Sequence, residues 1–113
     1  MLTKQEENIL KVKSDDRSAT DEERKINLKK LAGAIAHSLR QYGEIKIRCF
    51  GNACIGKAAK ATAIARGMVA VHGLDLYTTI SFITADMGGK QKTGICFKAF
   101  TDESEPQSSE SDK

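Results

Sequence analysis

The residues best suited to chemistry are Gly51-Asn52-Ala53-Cys54-Ile55-Gly56-Lys57, which lead out of an alternating segment and into an alanine-rich stretch that also carries Lys60. A chain passing through glycine into a helix start presents unpaired backbone N–H groups at the positive end of the helix dipole. Such a start is a natural seat for phosphate. On this reading Gly51, Asn52 and Gly56 shape the phosphate-contacting helix start, and Lys57 and Lys60 supply charge.

Read with Ala58, the segment also fits G-x-x-x-x-G-K, the spacing of a nucleotide-binding loop. Ala58 has no hydroxyl to hold the Mg²⁺ that phosphoryl transfer requires. Asp86, which follows a strand and could be offered as the acidic partner, more naturally starts a hairpin turn. Nucleotide hydrolysis is therefore not expected, and a nucleotide-binding switch stands as the third of three readings. No Ser/His/Asp set or carboxylate pair stands out. Cys49, Cys54 and Cys96 are odd in number, lack a CxxC spacing and have only His37 and His72 to complete a metal site. They read as small buried thiols. The expectation is a protein without enzymatic activity, metal or cofactor.

Charge points to a partner. The net charge of +3 conceals a segregation: residues 31–100 carry nine Lys/Arg against three acids, and residues 101–113 carry five acids against Lys113. A basic body with an acidic end suits a polyanion binder. The chain has no Trp and little aromatic content, which leaves few platforms for stacking on exposed bases. No apolar run approaches the ~18 residues of a membrane span, and charges occupy the place of a secretory apolar region. A cytoplasmic protein, without membrane partners and with nucleoid association open to it, is expected.

The elements that must position these residues follow from periodicity. Residues 1–8 read as a flexible start, 9–100 as the folded domain and 101–113 as a disordered acidic tail. Ile9 to Lys13 is a short strand anchored by Ile9 and Val12. Thr20-x-x-Glu23 is a capping box, and Leu28, Leu31, Ala32, Ile35 and Leu39 form one helical stripe that Gly43 ends. Ile45, Ile47 and Cys49 alternate with Lys46, Arg48 and Phe50, giving a strand with an apolar and a basic face. A helix from Ala53 to Val71 holds six alanines by Ala65 and stops at Gly73. Strands are expected over Leu74 to Thr84 and Lys92 to Phe100, joined by a turn from Asp86 to Lys90. The order β-α-β-α-β-β, with two right-handed crossovers, implies an α+β two-layer sandwich: a four-stranded mixed sheet with both helices on one face. Arg66 lies about 180° around its helix from Lys57, so the two cannot serve one ligand.

From Leu31 to Phe100 the chain resembles the stage V sporulation protein S family, within the wider Alba superfamily of chromatin and RNA-binding proteins. The resemblance rests on Leu31-Ala32-Gly33-Ala34, Gly51, Lys60-Ala61, Ala63-Ile64-Ala65-Arg66-Gly67 and Gly73-Leu74-Asp75-Leu76. Relative to the family, Ser14 to Lys30 looks like an insertion and Gly56-Lys57 replaces Asn-Gln. Val71-His72 stands where a proline is usual, and the acidic tail is extra. The resemblance implies an Alba-like fold, a homodimer or tetramer, and a regulator that binds DNA or RNA. It places nucleic acid against the loop before the first helix, the start of the second helix and the last hairpin. Here those regions offer Arg17, then Lys57 and Lys60, then Lys90 and Lys92, with Lys46 and Arg48 in second line. Asp15 and Asp16 beside Arg17 would repel phosphate. The alternative is a protein-interaction module that assembles a regulatory complex without nucleic acid.

Overall fold

The computed structural model describes residues 8–103, and of Glu103 the backbone alone. The expected flexible start up to Glu7 and the acidic tail from Ser104 lie outside the described residues. Six elements follow one another: β1 (Ile9–Lys11), α1 (Asp21–Tyr42), β2 (Glu44–Cys49), α2 (Asn52–Ala70), β3 (Leu74–Met87) and β4 (Lys90–Glu103). The sheet runs in the order β1-β2-β4-β3. β1 is parallel to β2, while β4 is antiparallel to both β2 and β3. β3 thus runs parallel to β2 with β4 inserted between them, which completes the expected mixed α+β sheet.

Local chemistry sets the helix limits. The Glu23 N–H donates to Thr20 Oγ1 at 3.1 Å and the Thr20 N–H donates to Glu23 Oε1 at 2.8 Å, so the capping box is formed. Gly43, at φ 84°, ends α1 in the left-handed region and donates its N–H to the Leu39 carbonyl. The stripe of α1 buries Ala32, Ile35, Ala36 and Leu39. Ala58, Ala61 and Ala65 of α2 are wholly buried. Their small side chains let α2 sit close against α1 and the sheet. Beneath both helices lie Ile45, Ile47 and Cys49 of β2 with Phe97 and Ala99 of β4. The other sheet face carries no helix.

The anchors of the first strand differ from expectation. β1 is three residues long, Val12 just beyond it is buried at 5% exposure, and Ile9 is 40% exposed because it points to the uncovered face. The final hairpin is longer than alternation alone indicated. β2 pairs with β4 only as far as Cys49↔Ile95, but β3 and β4 stay paired to Met87↔Lys90. Residues 83–87 and 90–94 therefore leave the sheet as a two-stranded arm. Asp86 is not at the turn: it pairs with Gln91 inside the arm. Gly88 and Gly89 alone make the turn, at φ 60° and 82°, the positive values that a tight two-residue hairpin requires of both central residues. At its other end β4 continues through Asp102 and Glu103, pairing with Asp75 and Leu74.

Candidate nucleic-acid interface

β1 and β2 are parallel, so both finish at the same end of the sheet. The arm leaves from that end, α2 begins there through Gly51, and the loop from Val12 to Thr20 crosses it. The topology thus brings together the three regions that carry Arg17, Lys60, and Lys90 with Lys92. All four side chains are exposed and enter no ion pair among the described residues.

Lys57 stands differently. Its ammonium donates to Asp15 Oδ1 at 2.9 Å and to the Lys13 carbonyl at 3.0 Å, with only 17% of the side chain exposed. Asp15 also accepts from Asn27 Nδ2 at 3.0 Å and has the Arg24 guanidinium 3.9 Å away. The hydrogen bond from Lys57 is the main influence holding the Asp15 carboxyl below its ordinary range, against an opposing push from burial. A cleft of about 370 Å³ beside the start of α2 is lined by Asp15, Arg24, Asn52, Gly56, Lys57 and Lys60. The protein's own carboxylate therefore faces the lysine that sequence spacing offered to a phosphate, and Lys60 is the cation left at the cleft rim. Gly51, at φ 99°, precedes the first turn of α2, which contains no acid. Asp16 accepts from the Ser18 N–H and hydroxyl, each at 2.9 Å, and these bonds hold its carboxyl low. Both acids flanking Arg17 are thus tied into the loop.

Lys46 and Arg48 lie on the uncovered sheet face. Register adds what spacing did not: Lys46 is the direct partner of Lys98 on β4, and Arg48 is flanked by Lys11 on β1 and Cys96 on β4. Lys11 and Lys98 were not singled out from sequence. The signal for Lys98 was the even-numbered alternation it shares with Lys90 and Lys92. No ion pair among the described residues involves Lys11, Lys46, Arg48 or Lys98.

Arg66 serves elsewhere, as its helix angle predicts: its Nε donates to Asp75 Oδ1 at 2.9 Å. That bond raises the guanidinium and lowers the carboxyl. The three thiols are free and buried, and burial pushes Cys49 up to about 11, so it stays protonated and unreactive. Among the described residues no group of His, Cys, Asp and Glu could hold a metal ion, and no helix is long and apolar enough to cross a membrane.

Two helices on a mixed four-stranded sheet in βαβαββ order, with a projecting hairpin, define an α+β two-layer domain. The family model described as Stage V sporulation protein S matches residues 23–102, and the chain belongs to that family. The match reaches back to Glu23, within the segment expected to be an insertion, so α1 lies inside it from its third residue onward, while the N-cap Thr20 falls just before it. Membership supports the role of a sporulation regulatory protein.

Proposed function

We propose that this protein is a non-enzymatic regulator that binds DNA or RNA as a dimer or tetramer, in the cytoplasm, where the nucleoid is within its reach. The observation that carries this reading is the gathering of Arg17, Lys60, Lys90 and Lys92 at one end of the sheet without acidic partners. Unneutralised cations on a loop, within the first three turns of α2 and on a protruding arm suit a phosphate backbone, whose counterions they would release. Lys57 contributes by fixing the loop that displays Arg17. Lys46 and Arg48 extend the basic surface below.

Self-association is supported by the outer flank of β3. Ile80 is 63% and Phe82 80% exposed, on the helix side of the sheet, and Ile80 adjoins a groove with Ala59 and Ala63 of α2. Apolar surface of this kind on a small domain favours a second copy. The same patch supports the other reading, a protein-assembly module without nucleic acid. A nucleotide switch is the weakest reading, because a triphosphate would have to displace Asp15 from Lys57.

Anisotropy titrations with duplex DNA, single-stranded DNA and RNA across a salt series test the proposal. Log affinity should fall with log salt by roughly 0.9 per duplex phosphate neutralised. Lys60→Glu and Lys90→Glu/Lys92→Glu should each weaken binding. Absence of binding to all three at micromolar protein would overturn the reading in favour of the assembly module.

A further inference from the structure

The uncovered sheet face combines three features. The first is charge. Alternation and register set Lys46 beside Lys98 and, one step of about 7 Å along the strands, Arg48 beside Lys11. Like charges placed directly opposite on neighbouring strands oppose sheet formation, and no acid of the described residues pairs with any of these four. The second is shape: a shallow concavity of about 540 Å³ lies on this face, lined by Lys46, Arg48, Lys98, Cys96, Thr79 and Ser81. Two cross-strand hydroxyls thus sit next to three cations, a donor set suited to phosphate and sugar oxygens.

The third is aromatic. Tyr77 and Phe100 are direct partners across β3 and β4, one step from Lys98 on the same face. Their rings stack at 5.9 Å between centroids with 30° between planes, and they remain 48% and 36% exposed. In the sequence these two aromatics are 23 positions apart, and only pairing makes them one platform. A base can stack on such a platform only when it is not already stacked and paired inside a duplex. Glu44 lies opposite Phe100 at the far end of the face from the arm. Phosphates would be repelled there. A bound strand would therefore place a base on the rings and run its backbone over the cations toward Lys92 and Lys90.

We propose that the open sheet face is a binding surface for single-stranded nucleic acid, with Tyr77 and Phe100 as the stacking platform and Lys46, Arg48 and Lys98 as the phosphate contacts. This inference rests on the nucleic-acid reading above but uses a different surface from the sheet-end cluster.

The test is anisotropy with labelled dT15, labelled U15 and a 15-base-pair duplex, using wild type, Tyr77→Ala, Tyr77→Phe, Lys98→Gln and Lys60→Glu. Wild type should hold dT15 or U15 more tightly than the duplex, and the two single-stranded arms show which sugar is preferred. Tyr77→Ala should lose about tenfold in single-strand affinity, while Tyr77→Phe retains it. Lys98→Gln should reduce the single-strand salt slope by roughly 0.7, the value of one phosphate contact. Single-strand binding that ignores Tyr77→Ala and Lys98→Gln but falls with Lys60→Glu would overturn this inference and leave the broader reading standing. A preference for the duplex would do the same. No binding of any of the three probes would overturn both.

Discussion

Lys57 and Asp15 are 42 residues apart in sequence and 2.9 Å apart in the fold. Their ion pair joins the loop before α1 to the first turns of α2, and Arg24 and Asn27 of α1 converge on the same carboxylate. One acid thus connects three elements at the end of the sheet where the arm leaves. The pair also changes what the helix start can do. Lys57 is the charge that would make Gly51 to Gly56 a nucleotide loop, and Asp15 neutralises it. Arg17, two residues on, is held in an exposed loop whose other acid, Asp16, is occupied by Ser18.

Asp15→Asn should destabilise the fold by about 1 kcal/mol, since a hydrogen-bonded charge pair is lost but both heads touch solvent and are partly screened. The folded-state pKa of Asp15 is depressed. Its contribution is therefore full above the unfolded value near pH 4 and is lost as pH falls through the folded value. Thermal melts of wild type and variant should differ by a constant amount at neutral pH and converge below about pH 4. Equal melting temperatures at pH 7 would show that the pair contributes nothing.

Gly94→Ala should cost about 1–3 kcal/mol through overpacking. A methyl group there would meet the backbone carbonyl of Cys49 and come within 2.5 Å of the Phe50 ring at Cδ1 and 2.7 Å at Cε1. The ring can shift, but the carbonyl belongs to the β2 strand end and cannot yield cheaply. The urea midpoint measures this directly, and an unchanged midpoint would mean that β4 departs from β2 earlier than Ile95.

Much of the scaffold was legible because its signals are local. Thr20 to Glu23 caps a helix by chemistry within four residues, and Ile45, Ile47 and Cys49 declare their buried face by alternation. Gly43, Gly51 and Gly73 mark boundaries because each has positive φ. What was not legible depends on pieces of chain meeting at a distance. Asp15 looked like a repellent beside Arg17 because nothing local shows that Lys57 reaches it. Lys98 looked like one more surface lysine until register set it against Lys46. Tyr77 and Phe100 looked too sparse to matter until β3 and β4 paired. The arm was underestimated because Thr84 to Met87 weakens in β propensity, and pairing with Lys90 to Thr93 carries the strand onward.

Phe82→Ser should shift the protein toward monomer. The residue is 80% exposed on β3, near the groove between β3 and α2. Removing its ring would take apolar area from a self-contact and leave the fold's own core untouched. Sedimentation velocity over a concentration series measures the change. A wild-type protein that is already monomeric at all concentrations would remove the second copy from that flank.

The acidic end should compete with polyanion. Because β4 runs through Glu103, a truncation after Thr101 would cut two residues from the sheet, so the informative deletion is residues 104–113. That segment carries Glu105, Glu110 and Asp112 against Lys113. The truncated protein should bind nucleic acid more tightly than the full chain at low salt, and the difference should fade as screening shortens the reach of charge. Identical affinities at low salt would dispose of the competition.

Lys98→Gln should raise stability and lower nucleic-acid affinity together. Lys98 faces Lys46 directly across β2 and β4. Removing one of two opposed charges should relieve about 0.2–1 kcal/mol of cross-strand repulsion. A lysine retained only for solubility or packing would show no loss of binding on substitution, and one serving in a neutralising ion pair would show a loss of stability. Opposite signs in the urea midpoint and in binding are therefore specific to a cation kept for an external anion. The same logic makes added salt stabilise wild type more than the variant, since ions screen the repulsion that only wild type retains. A destabilised Lys98→Gln, or a stabilised one that binds as wild type does, would mean that the open face holds its charges for some reason other than phosphate.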